Sequence, residues 1–301
     1  MPKLSERSSE LNLPISIVIP IYNEEGAITD TITEIRNICE EAHIHAYEII
    51  AVNDGSTDHT EEKLRTLGVV MITHPHNMGY GRSLKDGIKA AQYDTIVITD
   101  ADCTYPFAMV PALLKEYAKG FDMVVGARTG KYYQESVLKA PLRRVLRFIV
   151  EFSAERKIPD INSGLRVFRR SELMPMLPRL CDTFSFTTSM TLAFMMSGKF
   201  VKYVDIPYHK RQGKTKVKLL KDSLRTMQYI LQAINYYNPL KLFMLFAGLC
   251  IILSFWFFVF GIFTHWKTLV SFGIGSALSS LVILSFGLLA DLLKQAIDKK
   301  M

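Results

Sequence analysis

Between Ile15 and Gly126 short apolar runs alternate with polar stretches of helical period. Residues 15–20, 47–52, 69–73, 95–99 and 123–126 are rich in Ile and Val, the composition of buried strands. Helical spacing fills 26–42, a segment from Thr57, a segment through Gly87 to Ala91 after a Gly-punctuated turn, and 109–118. The rhythm predicts βαβ units, hence an α/β domain built on a mostly parallel sheet.

The pattern changes at Val137. Over 137–156 Leu138, Leu142, Val145, Leu146, Ile149, Val150 and Phe152 recur at helical spacing, while Lys139, Arg143, Arg144 and Arg147 take other faces. Such a helix either packs its stripe on a core or lies at a membrane surface with its basic face outward. A second amphipathic helix is read over 219–237. Residues 240–263 then form an apolar run with a single charge near its start, long enough for a hydrocarbon core of about 30 Å. A second run, 269–290, is uncharged and carries Gly273, Gly275, Ser276, Ala277, Ser279 and Ser280. Small residues let helices approach closely, so this face packs on the first span or on a second subunit, making a homo-oligomer through the spans one expectation. Basic flanks at 210–225 and 294–300 oppose only Lys267 in the connection, which orients the main domain and both termini to the cytoplasm. The expected division is 1–217 as the α/β domain, 218–238 as an interfacial helix, 239–293 as a two-helix transmembrane hairpin and 294–301 as a cytoplasmic tail.

Composition narrows the class. With 49% hydrophobic and 22% charged residues, the chain can bury a full core and is not disordered. Its four cysteines, Cys39, Cys103, Cys181 and Cys250, have no paired spacing, which fits reduced thiols rather than a disulfide scaffold. The polar start, Met1 to Arg7, has no apolar core of a secretory signal. A net charge of +7 suits nucleic acid, anionic lipid or a phosphorylated substrate alike. Distribution decides among them: basic residues gather at 139–157, 210–221 and 299–300, beside apolar or amphipathic stretches. That placement favours a membrane surface and excludes nucleic acid as the expected partner.

Candidate chemistry begins where 95–99 runs into Asp100, Ala101 and Asp102. Carboxylates two residues apart on extended backbone converge on one side, and strand carboxyl ends are where α/β sheets bind ligands. Mg²⁺ or Mn²⁺ takes one or two carboxylates and completes its shell with substrate phosphate. A plain strand-end turn explains the pair equally well. The acidic clusters after the first two strands, 20–25 and 53–58, fall on the same edge; the second also reads as a turn with a helix cap. His43 with His45 and His74 with His76 have metal-like spacing but no further ligands nearby, so they are read as loop residues rather than zinc ligands.

In this order the motifs point to a family. Pro20-Ile21-Tyr22-Asn23-Glu24, Asn53-Asp54-Gly55-Ser56-Thr57-Asp58, His76-Asn77-Met78-Gly79-Tyr80-Gly81 and Asp100-Ala101-Asp102 together resemble family 2 glycosyltransferases of the GT-A fold, a Rossmann-like sheet with flanking helices. Gly126-Ala127-Arg128, Asp160-Ile161-Asn162-Ser163-Gly164-Leu165-Arg166, Arg211-Gln212-Gly213-Lys214-Thr215-Lys216 and the two terminal spans look like the polyprenyl-phosphate branch, which includes dolichyl-phosphate mannose synthases. The resemblance covers nearly the whole chain. It implies a nucleotide site formed by Pro20, Tyr22, Glu24, Asp54, Gly79, Arg82, Asp100 and Ala101, with Asp54 on the base and Arg82 near the phosphates. Asp100 and Asp102 would hold Mg²⁺ or Mn²⁺ on the diphosphate. Asp102, Arg128, Asp160 and Arg166 would be catalytic, and Arg128, Arg143, Arg211, Lys214 and Lys216 would hold the acceptor phosphate.

The implied activity is inverting transfer of a hexose-type sugar from a UDP- or GDP-sugar to undecaprenyl or dolichyl phosphate at the cytoplasmic membrane face. The membrane would be the plasma membrane of a bacterium or archaeon, or the endoplasmic reticulum of a eukaryote. A phosphate acceptor is largely ionised at neutral pH, its second pKa being about 6, so no general base is required. Two departures from the family pattern bear on this. Ser189 stands where many relatives carry an acidic residue, which disfavours hydroxyl acceptors and leaves Asp160 as either a base or an Arg-orienting group. Thr104 replaces a longer polar side chain after the metal motif. The rival readings are a hydroxyl-directed family 2 transferase of polysaccharide synthesis and a catalytically silent membrane scaffold.

Overall fold

The computed structural model describes residues 13–130, 148, 150–152, 155–209 and 219–298, apart from the side chains of 219–226 and 298. By their contacts they fall into two units, Met1–Arg147 with Arg156–Tyr229, and Phe148–Glu155 with Ile230–Met301.

In the first unit the Ile- and Val-rich runs become strands β1 (Ile15–Ile21), β2 (Tyr47–Asn53), β3 (Val70–Thr73), β4 (Thr95–Ile98) and β5 (Met123–Thr129). The intervening segments become α1 (Ile28–Glu41), α2 (Thr60–Thr66), α3 (Tyr80–Ala90) and α4 (Val110–Tyr117). α1 buries Ile28, Thr31, Ile32, Ile35 and Cys39, a stripe three to four residues apart that faces the sheet. β4 is buried along its whole length, the condition of a strand covered on both faces.

Strands β6 (Arg166–Arg169) and β7 (Val201–Pro207), with helices α5 (Arg170–Leu173) and α6 (Phe186–Met196), complete the unit. None of these was anticipated, and each has a physical reason. β6 is four residues long with Arg at both ends, so it reads as polar. β7 is interrupted by Lys202, Asp205 and a closing Pro207. Every residue of α6 from Phe186 to Met195 is buried, and a helix wetted on no face leaves no amphipathic period.

The sheet order is β3-β2-β1-β4-β6-β5-β7. All neighbours are parallel except β6, which is antiparallel to both β4 and β5. From β1 the chain moves outward through β2 and β3, then returns to the other side of β1 at β4. Strand order therefore reverses between β1 and β4, where open α/β sheets form a ligand crevice beyond their carboxyl ends. Because β6 runs the opposite way, its amino end lies on that same edge, with Arg166 in register with Ile98 of β4 and Val125 of β5. Beneath the edge Ile17, Ile19, Val97, Val124 and Val167 form one buried cluster with Ile32, Ile35, Phe107 and Leu113. Full burial of each such side chain is worth about 1.5–3 kcal/mol, so the edge rests on a rigid platform.

A helix α7 (Leu219–Tyr237) follows, as expected. In the second unit α8 (Pro239–Phe263) and α9 (Lys267–Asp298) are both long and apolar enough to cross a membrane, with mean hydropathy of 2.6 and 2.0 in their most apolar windows. Asn238 caps α8 by accepting from the Lys241 amide, and Pro239 occupies the first turn, where its missing N–H costs nothing. α9 runs past the expected end at 290 to Asp298, since Asp291, Lys294 and Gln295 are helix-compatible; Gln295 donates to Asp291 at 2.8 Å. Ser254 donates to the Gly273 carbonyl at 2.7 Å and Ser276 to that of Cys250 at 2.8 Å. A Cβ on Gly273 would stand 3.0 Å from the Phe258 ring, whereas one on Gly275 would meet nothing within 4 Å. The small residues thus divide between the contact with α8 and the outer surface of α9.

Candidate active site

The loops after β1 and β2 are laced together. Asn23, in the left-handed region at φ 51°, accepts from the Thr57 amide at 2.7 Å and donates its own amide to Ser56 at 3.0 Å. The Glu24 amide donates to the Thr60 hydroxyl, and Asp58 accepts from the amides of Glu25 and Thr60. Burial pushes the Asp58 carboxyl up, but the hydrogen bonds from Thr60 and Glu25 outweigh it and hold it below the usual range. Asp58 is therefore a turn and cap residue. Pro20, Tyr22 and Glu24 lie half-buried at the edge.

Asp54 has structural partners of its own. It is buried and accepts from His74 Nδ1 at 2.8 Å, the Met78 amide at 2.8 Å and the Gly79 amide at 2.9 Å. Both carboxylate oxygens thus hold the turn between β3 and α3 together, an organising role that the motif did not suggest. The neighbouring glycines also serve packing. Gly79 has φ +107°, and a Cβ there or on Gly81 would come within 2.7 Å of the Asp182 carbonyl oxygen and 2.3 Å of that of Cys181. Glycine lets α3 begin flush against 181–182, and the Arg82 amide donates to Asp182. Arg82 does not extend alone towards a phosphate: its Nε donates to Asp86 at 2.6 Å, one turn along α3. That bond, with the Asp86 charge, raises the guanidinium pKa.

Beyond β4 the chain turns through Asp100, Ala101, Asp102 and Cys103, the last left-handed at φ 56°. Thr31 of α1 donates to the Ala101 carbonyl at 3.1 Å and fixes the turn from below. Asp102, 5% exposed, accepts on Oδ1 from both the amide and the hydroxyl of Thr104, at 3.2 and 2.6 Å. Half-buried Asp100 accepts on Oδ1 from the Tyr80 hydroxyl at 3.0 Å. Its Oδ2 lies against Gly164, where a Cβ would sit 2.9 Å away, and the Gly164 amide donates to the Tyr105 hydroxyl at 2.7 Å. The Tyr80 phenol is pushed well above its ordinary pKa by burial, then by the Asp100 charge. The Thr104 carbonyl accepts from the His209 amide at 3.0 Å, which brings the end of β7 to this loop. Among the described residues no three His, Cys, Asp or Glu side chains cluster to hold a metal. Two oxygen donors on one short turn fit a hard divalent cation that draws its other ligands from phosphate and water, not a closed zinc site.

Arg128, Asp160 and Arg166 lie on the same edge but in different roles. Arg128, at the end of β5, grips Asp160 through Nε at 2.7 Å and Nη2 at 2.9 Å, and its amide donates to the same carboxylate at 3.1 Å. Its guanidinium also lies over the Tyr208 ring, 5.4 Å from the centroid. Burial acts to raise the Asp160 pKa, but the bonds and charge of Arg128 prevail and hold it low. A carboxylate held so is a weak base, so Asp160 orients the arginine.

Arg166, expected to be catalytic, is 0% exposed. It donates to the carbonyls of Ser163 and Ile161 and to the Thr191 hydroxyl, and burial lowers its pKa. Arg166 is a buried brace for residues 160–164, not a group open to substrate. Ser189, inside α6, donates to the Phe186 carbonyl and accepts from the Cys181 amide. Arg143, Arg211, Lys214 and Lys216 lie outside the described residues. Tyr80, inside one of the family motifs, Tyr105 and Thr31 had no expected role, and His74 was expected only as a loop residue; a motif does not say which way a side chain points.

Comparison with known proteins agrees with this geometry. Residues 16–174 match the model of glycosyl transferase family 2. The low-salt glycan biosynthesis hexosyltransferase Agl6 of Haloferax volcanii is 29% identical over 76% of this chain and 55% of its own length. The undecaprenyl-phosphate 4-deoxy-4-formamido-L-arabinose transferase of Pseudomonas fluorescens is 30% identical over 54% of this chain and 49% of its own. The chain thus spans about half the length of these curated relatives. Among solved structures, glucosyl-3-phosphoglycerate synthase from Mycobacterium tuberculosis, in complex with Mn²⁺, uridine diphosphate and glucosyl-3-phosphoglycerate, superposes with a TM-score of 0.60 at 20% identity, over 75% of this chain and 81% of that one. At that identity the likeness speaks for a shared fold alone. With the matched segment covering more than half of its length, the chain belongs to glycosyl transferase family 2 and has the GT-A fold.

Proposed function

We propose that this protein transfers a hexose-type sugar, with inversion, from a UDP- or GDP-sugar to a polyprenyl phosphate at the cytoplasmic face of a membrane. The observation that carries this reading is the gathering of Asp100, Asp102 and Arg128 on one sheet edge, in a chain that continues into two helices able to cross a membrane. The undecaprenyl-phosphate named for the Pseudomonas fluorescens relative supports the same acceptor class.

The chemistry asks for charge management more than proton transfer. An anionic phosphate must approach an anionic diphosphate, and at an effective dielectric of about 20 two unit charges about 4 Å apart interact by about 4 kcal/mol. A divalent cation held by Asp100 and Asp102 would neutralise the donor diphosphate and stabilise it as leaving group. Asp102 is fixed for this by Thr104. Arg128, oriented by Asp160, would hold the acceptor phosphate, the role also proposed for Arg143, Arg211, Lys214 and Lys216. Residues 1–217 act as the catalytic domain, and the loop bearing Tyr22 and Glu24 takes the nucleotide. The low pKa of Asp160 and the internal bonding of Ser189 agree with an acceptor that needs no base.

The test is a panel of radiolabelled UDP- and GDP-sugars with undecaprenyl and dolichyl phosphate, using detergent-solubilised full-length protein with Mg²⁺ or Mn²⁺. One nucleotide class should label a lipid product, and EDTA should abolish the transfer. Labelled oligosaccharide in place of lipid would move the assignment to polysaccharide synthesis; no transfer from any donor would leave the silent scaffold.

A further inference from the structure

We propose that Tyr80 is a positioning residue for the metal site, its hydroxyl holding Asp100 in the orientation that receives the cation. The inference rests on reading Asp100 and Asp102 as the metal carboxylates, and goes beyond it in naming what aims the first of them.

A carboxylate at the end of a short side chain turns broadly about its last torsion. Asp100 is confined on both sides. Oδ1 accepts from the Tyr80 hydroxyl at 3.0 Å, and Oδ2 faces Gly164, where even a methyl group would approach to 2.9 Å. Tyr80 is itself confined. It is the first residue of α3, whose start is seated by Gly79 and Gly81 against 181–182, and its ring stacks on Phe184 with centroids 5.5 Å apart and planes 15° apart. The hydroxyl is thus delivered from a fixed ring to a fixed oxygen.

Asp102 receives the equivalent support from Thr104 within its own turn. Each carboxylate of the pair has its own hydroxyl donor, one local in sequence and one from α3. The long-range donor also ties Asp100 to the turn between β3 and α3, because the turn that precedes Tyr80 is the one Asp54 organises through Met78 and Gly79. Groups that orient metal ligands from outside contribute roughly 10–100-fold to affinity.

The test uses full-length protein in detergent and the variant Tyr80→Phe, which keeps the ring and its stack but removes the donor. Free Mn²⁺ is followed by electron paramagnetic resonance during titration with UDP or GDP present, and nucleotide binding is measured separately in EDTA. The expected result is a Kd for Mn²⁺ raised about tenfold, with metal-free nucleotide affinity and the melting temperature without metal unchanged. Wild-type Mn²⁺ affinity in Tyr80→Phe overturns the proposal. A parallel loss of metal-free nucleotide binding also overturns it, since Tyr80 would then support the turn as a whole. Asp102→Asn in the same titration separates the two layers. If it binds Mn²⁺ like the wild type, the metal reading fails and the inference with it; if it loses binding while Tyr80→Phe does not, only the inference fails.

Discussion

A carboxylate gripped on both oxygens by a guanidinium serves poorly as a proton acceptor, and Asp160 is held that way by Arg128. Its native pKa lies below the ordinary value of about 3.9. The stability this pair supplies is therefore complete above that value and is lost as pH falls through the lower native pKa. Asp160→Asn should unfold with a shallower acid dependence below about pH 4 and, at neutral pH, lose about 3 kcal/mol because the carboxylate paired with a largely buried arginine is removed; thermal unfolding followed across pH measures both. Asp102→Asn should abolish metal-dependent transfer with the fold retained, and full activity would remove the metal assignment. The aspartates drew notice in the sequence because they follow strands, at the edge where α/β sheets bind ligands, though turns and helix caps use the same residue. Their division of labour was not legible: Asp54, Asp58 and Asp100 look alike in one dimension, and only burial and partners separate a brace, a cap and the carboxylate proposed for the metal.

At the scale of elements, what could be read depended on wetting. β1, β2 and β4 announce themselves as runs of Ile and Val, and α1 by its single buried stripe. β6 and α6 gave no such contrast, one being too short and polar, the other dry on all sides. Close approach between elements leaves a fainter mark, a glycine. Gly81→Ala would place a methyl group 2.3 Å from the Cys181 carbonyl oxygen, which backbone must move to relieve. A cost of about 1–3 kcal/mol is expected, read as a lower melting temperature. Gly164→Ala differs in kind, because its clash is with the Asp100 carboxylate at 2.9 Å. It should weaken Mn²⁺ binding by more than its effect on melting would suggest, measured as a metal Kd set beside a thermal midpoint.

For the molecule as a whole, the apolar character of α8 and α9 was evident from length and hydropathy, and so was their approximate position. The far end of α9 was missed because a helix need not stop where its hydrophobicity does. If both helices span a bilayer, the protein should resist carbonate extraction from membranes. A cysteine placed at His265, in the connection between them, should be labelled only from the side opposite the termini. Labelling from the same side would exclude the hairpin arrangement.

The antiparallel strand β6 has a temporal consequence. β4 and β5 are not neighbours; β6, which follows both in the chain, lies between them, and β5 is completed on its other side by β7. A nascent chain that has emerged only through β5 carries β4 with one bare edge and β5 without either partner, surfaces that invite pairing with other chains. Contacts of such long sequence separation also form slowly. Synthesis should therefore pass through an aggregation-prone interval that closes only when residues 166–207 have been made, and ribosome-stalled chains ending before and after that stretch should differ sharply in protease resistance and in capture by chaperones.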